Sequence, residues 1–287
     1  MKKSFKLALV AILSSVLLTA CGGGQASTGN TPEQTPAQTP AEGKGTLERI
    51  KEKGVLTVLT SNDAPFSYID TKTNEFTGID AEIIKEIAKR LGIEKVEPKV
   101  TKFENLLLDL NNKNGDIVAD AMWVKPEREK VATFTDLWYQ QSDGLVVQKD
   151  DNSIKGLDDL KDKVVGGQKG TTFLELLNQM KAEGKVKDVK VFGSQAELLL
   201  ALNTKKIDAV LTDMAVTAYT IKNDPTLNVK MVTPYQPHFP GPTAAAVRKE
   251  DTDLLEAVNA ELKKLKEEGF ILEVLKKYGL SEDNMAE

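Results

Sequence analysis

The segment that decides the fold is Phe103–Arg128, FENLLLDLNNKNGDIVADAMWVKPER, which has an echo in Gln195–Met214, QAELLLALNTKKIDAVLTDM. At a constant offset of 92 positions, the identical pairs are Leu106/Leu198, Leu107/Leu199, Leu108/Leu200, Leu110/Leu202, Asn111/Asn203, Lys113/Lys205, Asp116/Asp208, Val118/Val210 and Met122/Met214. Each copy has the pattern of a helix, a polar turn and a short apolar strand that ends at an acid, Asp120 or Asp213. Ligands of open α/β sheets bind beyond the carboxyl ends of the strands. The repeat therefore predicts two related lobes that face each other, with Asp120 and Asp213 at the ligand.

The amino-terminal residues have the pattern of an export signal. Three lysines precede an apolar run, residues 7–18, which is shorter than a membrane-spanning helix and typical of a signal peptide. The run ends in LTAC, residues 18–21, which resembles a bacterial lipobox and implies cleavage before Cys21 and lipidation of its thiol. Residues 22–45 are rich in Gly, Thr, Pro, Gln and Ala and cannot bury a core. We therefore predict a signal peptide (1–20), a flexible tether (21–45) and an extracytoplasmic protein, anchored on the outer face of the membrane or in the periplasm.

Charge and cysteine content exclude several classes of protein. Cys21 is the one cysteine, so no internal disulfide is possible. Cleavage after residue 20 would remove three lysines and change the formal net charge from −5 to −8. Nucleic-acid binding depends on phosphate contacts from Lys and Arg, which makes it a poor expectation here.

Strand and helix patterns alternate after the tether, which predicts an α/β fold with mostly parallel sheets. The predicted elements are a short helix near Glu48–Lys51, strands at 54–60, 96–100, 143–148, 164–167, 229–232 and 244–248, a helical turn at 157–160, helices at 79–92, 172–181, 252–268 and 270–278, and the helix and strand of each repeat copy. Two crossings between lobes are expected near residues 141 and 243. Lobe 1 is then 46–140 plus 243–287, lobe 2 is 141–242, and the crossings form a hinge.

Several further motifs add to the repeat. They are VLTVLT and APFSYID after residue 54, GIDAEIIKEIAKRLGI from 78 to 93, PER at 126–128, FTD at 134–136, GLDDLKDKVVGGQKGTT from 156 to 172, LTD at 211–213 and VRKED at 247–251. Together they resemble the polar amino-acid-binding proteins of bacterial ABC importers (extracellular solute-binding family 3) over nearly all of residues 46–287. The resemblance implies a two-lobed periplasmic-binding-protein fold of type II, with the ligand in a cleft at the hinge.

The resemblance also implies roles for particular residues. Arg128 of the PER segment would hold the ligand α-carboxylate, which suits the planar fork of a guanidinium, although a surface pair with Glu127 or Glu129 is the plain alternative. Asp213 would bind the α-ammonium, and Phe66 would pack over the ligand. The complete set of predicted ligand-binding residues is Asp63, Phe66, Phe103, Asp120, Ala121, Trp123, Arg128, Gly170, Thr171, Thr172 and Asp213.

Residue chemistry supports some of these positions independently. Glycines and hydroxyls that lead into a helix at Gly170–Thr172 can present backbone N–H groups to an anion, and Thr171 can equally be a plain N-cap. Asp63 and Asp120 add negative charge near the same opening. Trp123 and Phe103 could pack around an apolar or cationic ligand, and Phe103 fits a core position equally well.

Some residues depart from the common family pattern. Trp123 replaces a small hydroxyl residue, Lys125 replaces a threonine, and an acid precedes Ala64–Phe66 directly in a shortened loop. These features, with residues 241–251 and the tail 278–285, resemble the ectoine-binding branch, whereas Asp213 is of the amino-acid type. A polar or cationic amino acid is thus the first expected ligand, and ectoine or a similar compatible solute is the alternative.

Other functions remain open alternatives. A dehydratase-like enzyme on the same fold would need a tuned acid or base in the cleft, and the folded part has one histidine, His238, and no cysteine. No His/Cys cluster suggests a metal, and we expect no cofactor, no metal and no catalytic residues. A ligand sensor that signals through another protein is the remaining alternative. The expected partners are a small zwitterion, the subunits of an ABC permease and the membrane through Cys21, and we expect a monomer.

Overall fold

Two mixed sheets organise residues 44–286, the part of the chain that the computed structural model describes. In chain order the strands there are β1 (Val55–Thr60), β2 (Tyr68–Ile69), β3 (Phe76–Thr77), β4 (Lys95–Val100), β5 (Ile117–Val118), β6 (Thr133–Phe134), β7 (Tyr139–Gln148), β8 (Val164–Gln168), β9 (Asp188–Phe192), β10 (Ala209–Asp213), β11 (Val229–Met231), β12 (Pro240–Thr243) and β13 (Ala246–Val247). The predicted signal peptide, Cys21 and residues 22–43 of the predicted tether lie outside the described residues.

Helices cover both sheets. They are α1 (Thr46–Lys53), α2 (Ile79–Arg90), α3 (Leu106–Asn111), α4 (Pro126–Glu129), α5 (Thr172–Ala182), α6 (Gln195–Asn203), α7 (Met214–Asn223), α8 (Thr252–Glu267) and α9 (Phe270–Lys277), with 3₁₀ turns at Phe103–Asn105, Leu157–Leu160 and Glu282–Asn284. In α8 the side chains of Leu254, Val258, Leu262 and Leu265 are fully buried, at helical spacing on one face. Burying each such side chain stabilises the fold by about 1.5–3 kcal/mol. Within residues 44–286, none of the helices is long and apolar enough to cross a membrane.

The two-lobed α/β fold is confirmed. Lobe 1 is built on the sheet β4-β1-β5-β13-β6, and lobe 2 on β11-β7-β10-β8-β9, with β12 paired to β7. The prediction of mostly parallel sheets is wrong in detail. The pairs β4-β1, β1-β5, β10-β8 and β8-β9 are parallel, whereas β13 and β7 pair antiparallel with all their neighbours. The sheets are mixed because the segments near the two lobe crossings, β7 and β13, run against the strands of the helix-connected units.

The repeat is equivalent down to single hydrogen bonds. Lys113 and Lys205, the turn residues of the two copies, both have left-handed backbones, with φ of 60° and 57°. Asp116 Oδ2 accepts the Thr57 N–H at 2.8 Å, and Asp208 Oδ2 accepts the Val164 N–H at 2.7 Å. Asp116 in lobe 1 and Asp208 in lobe 2 thus each hold the neighbouring parallel strand, β1 or β8, by a hydrogen bond to its backbone.

A two-stranded ribbon connects the lobes. The strand β7 runs antiparallel to β12, with Gln141 opposite Gly241 and Tyr139 opposite Thr243. The predicted crossings at residues 141 and 243 fall in this ribbon, and the exact lobe boundaries stay a prediction. Some elements were not predicted from the sequence: β2, β3, α4, β6, β9, α7 and β12.

Candidate functional site

A cavity between the lobes collects residues from the carboxyl ends of strands in both sheets. Its lining residues are Asp63, Phe66, Phe103, Asp120, Ala121, Trp123, Arg128, Gln168, Thr171, Thr172, Phe173, Gln195, Asp213 and Val216. The space not filled by protein atoms is about 390 Å³, which includes solvent at the opening. Of the predicted ligand-binding residues, Gly170 alone is outside this lining. The structure therefore brings the predicted set together, and the role of each member in binding stays a prediction.

Arg128 belongs to α4, the short helix that begins at Pro126, and only 9% of it is exposed. Its Nη1 donates to the Trp123 carbonyl at 2.7 Å, and its Nη2 donates across the cleft to the Gly170 carbonyl at 3.0 Å. Its guanidinium carbon lies 5.4 Å from the centre of the Phe103 ring. Burial lowers the pKa of Arg128 to about 10, so the guanidinium still carries its charge at neutral pH. The expected alternative, a surface pair with a neighbouring glutamate, does not form. A buried, oriented cation of this kind suits a carboxylate.

Asp213 closes β10 of lobe 2 and precedes α7. Its Oδ1 is buried and has no hydrogen-bond partner among the described residues. Burial, with the charge of Asp63 second, raises the pKa of Asp213 to about 8. A buried carboxyl oxygen without a hydrogen-bond partner is costly, and a ligand ammonium in the cavity would supply the partner.

A chain of side-chain hydrogen bonds links the acids of lobe 1 to lobe 2. Gln168 Nε2 donates to Asp63 Oδ2 at 3.2 Å, and Gln195 Nε2 donates to Gln168 Oε1 at 2.8 Å. The Thr212 hydroxyl completes the chain by donating to Gln195 Oε1 at 2.9 Å. Asp63 is thus oriented by a residue that reaches it only when the lobes are closed.

Four aromatic side chains supply most of the apolar part of the lining, with Ala121 and Val216. Phe66 is 2% exposed and stacks near Tyr139, with 6.5 Å between ring centres. Trp123 lies edge-on to Phe173 at 4.9 Å, so an aromatic contact joins the two lobes. Phe103 faces the Arg128 guanidinium and also packs on the core of lobe 1. It therefore has both of the positions expected from the sequence, beside the cavity and in the core. Aromatic faces around the cavity can pack against an aliphatic or cationic ligand body.

The segment before α5 combines a tight approach with an N-cap. Gly170 has φ of +84°, and a Cβ there would lie 2.9 Å from the Cα of Glu104 in lobe 1. The Thr171 hydroxyl accepts the Leu174 N–H at 3.3 Å, so Thr171 is a true N-cap. The first turn of α5 still leaves N–H groups without helical acceptors, which an anion in the cavity could use.

Comparison with known proteins identifies the family. The profile of the bacterial extracellular solute-binding proteins, family 3, matches residues 56–281. The chain belongs to this family.

Relatives of this solute-binding protein match nearly the whole chain or about four-fifths of it. The L-cystine-binding protein TcyA of Bacillus subtilis (strain 168) is 32% identical over 279 residues, which covers 97% of each chain. The solved structure of an ancestral arginine-binding protein bound to arginine has 34% identity and a TM-score of 0.72, and covers 79% of this chain and 98% of that one. The ancestral amino acid-binding protein AncCDT-1, a precursor of cyclohexadienyl dehydratase, has 33% identity and a TM-score of 0.72 over 82% of this chain and 99% of that one.

Sequence reasoning missed four residues of the cavity: Gln168, Phe173, Gln195 and Val216. Gln168 and Phe173 flank the Gly170–Thr172 segment, and Gln195 begins the helix of the second repeat copy. Gln168 and Phe173 lie at or just after the end of β8, Gln195 follows β9, and Val216 follows β10. This position was the available signal, since ligands bind at that edge of the sheet. A side-chain amide can donate and accept hydrogen bonds, which is why the residue type alone did not reveal Gln168 and Gln195.

Further contacts hold the two lobes of this solute-binding protein together at the rim. Lys169 Nζ lies 2.9 Å from Glu104 Oε2, and Lys125 pairs with Glu175. On lobes 1 and 2 respectively, Tyr68 and Tyr219 share a hydroxyl hydrogen bond of 2.7 Å. Each contact needs the closed arrangement of the lobes. Within residues 44–286, no group of three or more His, Cys, Asp or Glu side chains has an arrangement that could hold a metal ion.

Proposed function

We propose that this solute-binding protein captures a polar or cationic amino acid by closing its lobes and delivers it to the permease of an ABC importer. The observation that carries the proposal is the pairing, in one cavity, of a buried guanidinium with a buried carboxylate oxygen that has no partner among the described residues. Arg128 comes from lobe 1 and Asp213 from lobe 2. The α-carboxylate and α-ammonium of an amino acid would satisfy both.

The charge of the lining favours a ligand with a cationic side chain. Three aspartates, Asp63, Asp120 and Asp213, face the cavity together with one arginine. After the zwitterionic end has paired with Arg128 and Asp213, Asp63 and Asp120 are left for the side chain. The relatives include a protein bound to arginine, which agrees with this chemistry.

Closure would couple binding to a shape that the permease can recognise. A ligand shifts an equilibrium only by its differential affinity for the two states. In the closed state three hydrogen bonds join the lobes: Gln168 donates to Asp63, Arg128 donates to the Gly170 carbonyl, and the hydroxyls of Tyr68 and Tyr219 bond each other. A ligand held from both lobes would add to these contacts, and the β7–β12 ribbon would act as the hinge.

Anchoring and assembly belong to the same proposal. Lipidation of Cys21 after removal of residues 1–20 would hold the protein to the membrane, with residues 21–45 as the tether. The folded part would then be lobe 1 (46–140 plus 243–287) and lobe 2 (141–242), acting as a monomer without cofactor or catalysis. A role as a dehydratase would need a proton-transfer group poised over a substrate bond, and the cavity acids are already used as binding groups in this proposal.

A compatible solute such as ectoine is the second candidate ligand. The observation that favours it is the aromatic lining, in which Phe66 and Trp123 flank Asp63 and Arg128. A compact cyclic zwitterion could use Arg128 for its carboxylate and the aromatic faces for its delocalised cation.

A thermal-shift screen followed by calorimetry tests both candidates. Amino acids, ectoine, hydroxyectoine and betaines would be added singly to the purified protein, since a ligand of the native state raises its stability by mass action. We expect the largest rise in melting temperature with a cationic or polar amino acid. A rise with ectoine-type solutes alone would transfer the assignment to the second candidate, and no rise with any of them would contradict the proposed function.

A further inference from the structure

A small hydrogen-bond cluster at the end of β1 has more acceptors than protons. Thr60 Oγ1 lies 2.6 Å from the Ser67 carbonyl oxygen and 2.8 Å from Asp120 Oδ1. A carbonyl oxygen can only accept, and a hydroxyl has one proton to donate. When the Thr60 hydroxyl donates its proton to the Ser67 carbonyl, a hydrogen bond between Thr60 and Asp120 requires the Asp120 carboxyl group to donate a proton of its own.

The hydroxyl of Ser61 also has fewer protons than contacts with acceptor oxygens. Ser61 Oγ lies 2.9 Å from Asp63 Oδ2 and is also in hydrogen-bond contact with Asp120 Oδ2. Its single proton can serve one of these oxygens. The Ser61 N–H donates to Asp120 Oδ2 at 2.9 Å and gives nothing to Asp63. Four oxygen–oxygen contacts therefore share two hydroxyl protons. Two contacts are left without a hydroxyl proton, and each of them needs a carboxyl proton to be a hydrogen bond.

The surroundings of Asp120 favour that proton. Asp120 is 2% exposed, and burial followed by the charge of Asp63 holds its pKa well above the usual range. Burial also raises the pKa of Asp63.

The other ionisable groups around the pair are Asp80 on α2, Tyr139 on β7, Asp213 on β10 and Arg128 on α4. The Tyr139 hydroxyl donates its hydrogen bond to Asp80 at 2.6 Å. The Arg128 guanidinium donates to backbone carbonyls. Burial raises the pKa of Asp80 to about 6. Among these groups, none donates a hydrogen bond to Asp63 or Asp120.

We propose that Asp63 and Asp120 share a proton that a cationic ligand side chain displaces, which makes the pair a specificity switch within the binding cavity. This inference rests on the proposed function. The protonated pair can donate to and accept from a neutral amide-type side chain, and Asp63 already accepts a hydrogen bond from the Gln168 amide. The ionised pair gains a full charge interaction with a guanidinium or ammonium group. The selectivity for cationic over neutral side chains should therefore rise with pH.

Arginine and citrulline form a matched pair of probes, because the neutral ureido group of citrulline has nearly the shape of the guanidinium. Calorimetric titrations of the purified protein in two buffers of different ionisation enthalpy give the number of protons released on binding. Asp213 meets the same α-ammonium in both ligands, so its contribution cancels in the difference. We expect arginine to release up to one proton more than citrulline near neutral pH. The ratio of their affinities should then rise by up to about tenfold per pH unit, by linkage.

Two variants locate the proton. Asp120→Asn removes the protonatable group, and we expect the difference in proton release between the two ligands to shrink towards zero. Asp162→Asn, an exposed aspartate on lobe 2, is the matched control and should keep the difference. Binding of both ligands with equal proton release in the unmodified protein would overturn the inference and leave the proposed function intact. Binding of neither these ligands nor any other amino acid would overturn both.

Discussion

Replacing Arg128 by alanine removes the one guanidinium that lines the cavity. The side chain is 9% exposed and is held from two sides by the Trp123 and Gly170 carbonyls. Alanine leaves both carbonyls without this donor, and it would leave the α-carboxylate of the proposed ligand without its cation. The first effect lowers the stability of the closed form, and the second acts directly on the ligand.

The size of the loss follows from burial. Removing one partner of a buried ion pair costs about 3–5 kcal/mol, because the remaining charge stays desolvated and unpaired. This corresponds to a dissociation constant raised roughly 150-fold to 5,000-fold at 25 °C. The lost hydrogen bond from the charged guanidinium to the Gly170 carbonyl adds about 1.5–3 kcal/mol by weakening closure.

Calorimetry of the unmodified protein and the Arg128→Ala variant, with the ligand identified by screening, measures the change. Lys125→Ala is a control from the same segment, because Lys125 makes an ion pair across the cleft with Glu175, whose side chain is 62% exposed. Such a pair is worth up to about 1 kcal/mol, so the control should change the dissociation constant by roughly fivefold at most. Near-UV circular dichroism verifies that each variant is folded. A folded Arg128→Ala variant whose affinity matches that of the control would refute the carboxylate role.

Three further expectations concern pH, closure and the rim. Burial raises the pKa of Asp213 to about 8, so the native state holds its proton between pH 4 and 8 while the unfolded chain does not. The ligand-free protein should lose stability as pH rises through that window while ligand affinity rises, and Asp213→Asn should flatten both profiles in melting and binding assays. Gly170→Ala should weaken binding at least about tenfold, since its Cβ would strike the backbone of lobe 1. Gly184→Ala has a similar positive φ and nothing within 4 Å among the described residues, so calorimetry should find its affinity unchanged, and equal losses in both variants would point to strain instead. Tyr219→Phe removes the hydroxyl contact to Tyr68, worth about 0.5–1.5 kcal/mol, and should speed ligand release up to about tenfold in stopped-flow traces, whereas an unchanged rate would show that this bond does not hold the lobes closed.

The repeat was the strongest predictor of the fold, for a local reason. A helix, turn and strand packed as one unit require fixed spacing between apolar residues, so Leu106–Met122 and Leu198–Met214 carry the same pattern. The left-handed turns at Lys113 and Lys205 and the strand-fixing acids Asp116 and Asp208 occupy equivalent positions in the structure. The short strands β6 and β12 have no such signature, because their pairing partners, β13 and β7, lie far away in sequence.

The residues of the candidate site likewise divide into those that sequence motifs predicted and those that only the folded structure revealed. Arg128, Asp213 and Phe66 could be predicted because each lies in a motif that resembles the family. Gln168 and Gln195 could not, since their importance comes from a hydrogen-bond chain that crosses the cleft to Asp63. That chain exists only once the lobes have closed.

The sequence by itself determined the two related lobes, their helices and central strands, and the charged groups that a zwitterion would need. These features depend on spacing and residue type along short stretches of chain. The tertiary structure alone decided that the sheets are mixed and that Gly170 packs against the opposite lobe. It also decided that the hydroxyls of Thr60 and Ser61 have fewer protons than the oxygen contacts they make around Asp63 and Asp120. Burial and the distances between residues far apart in sequence set these properties, because the charge state of a carboxyl group depends on the solvent and neighbours that folding leaves around it.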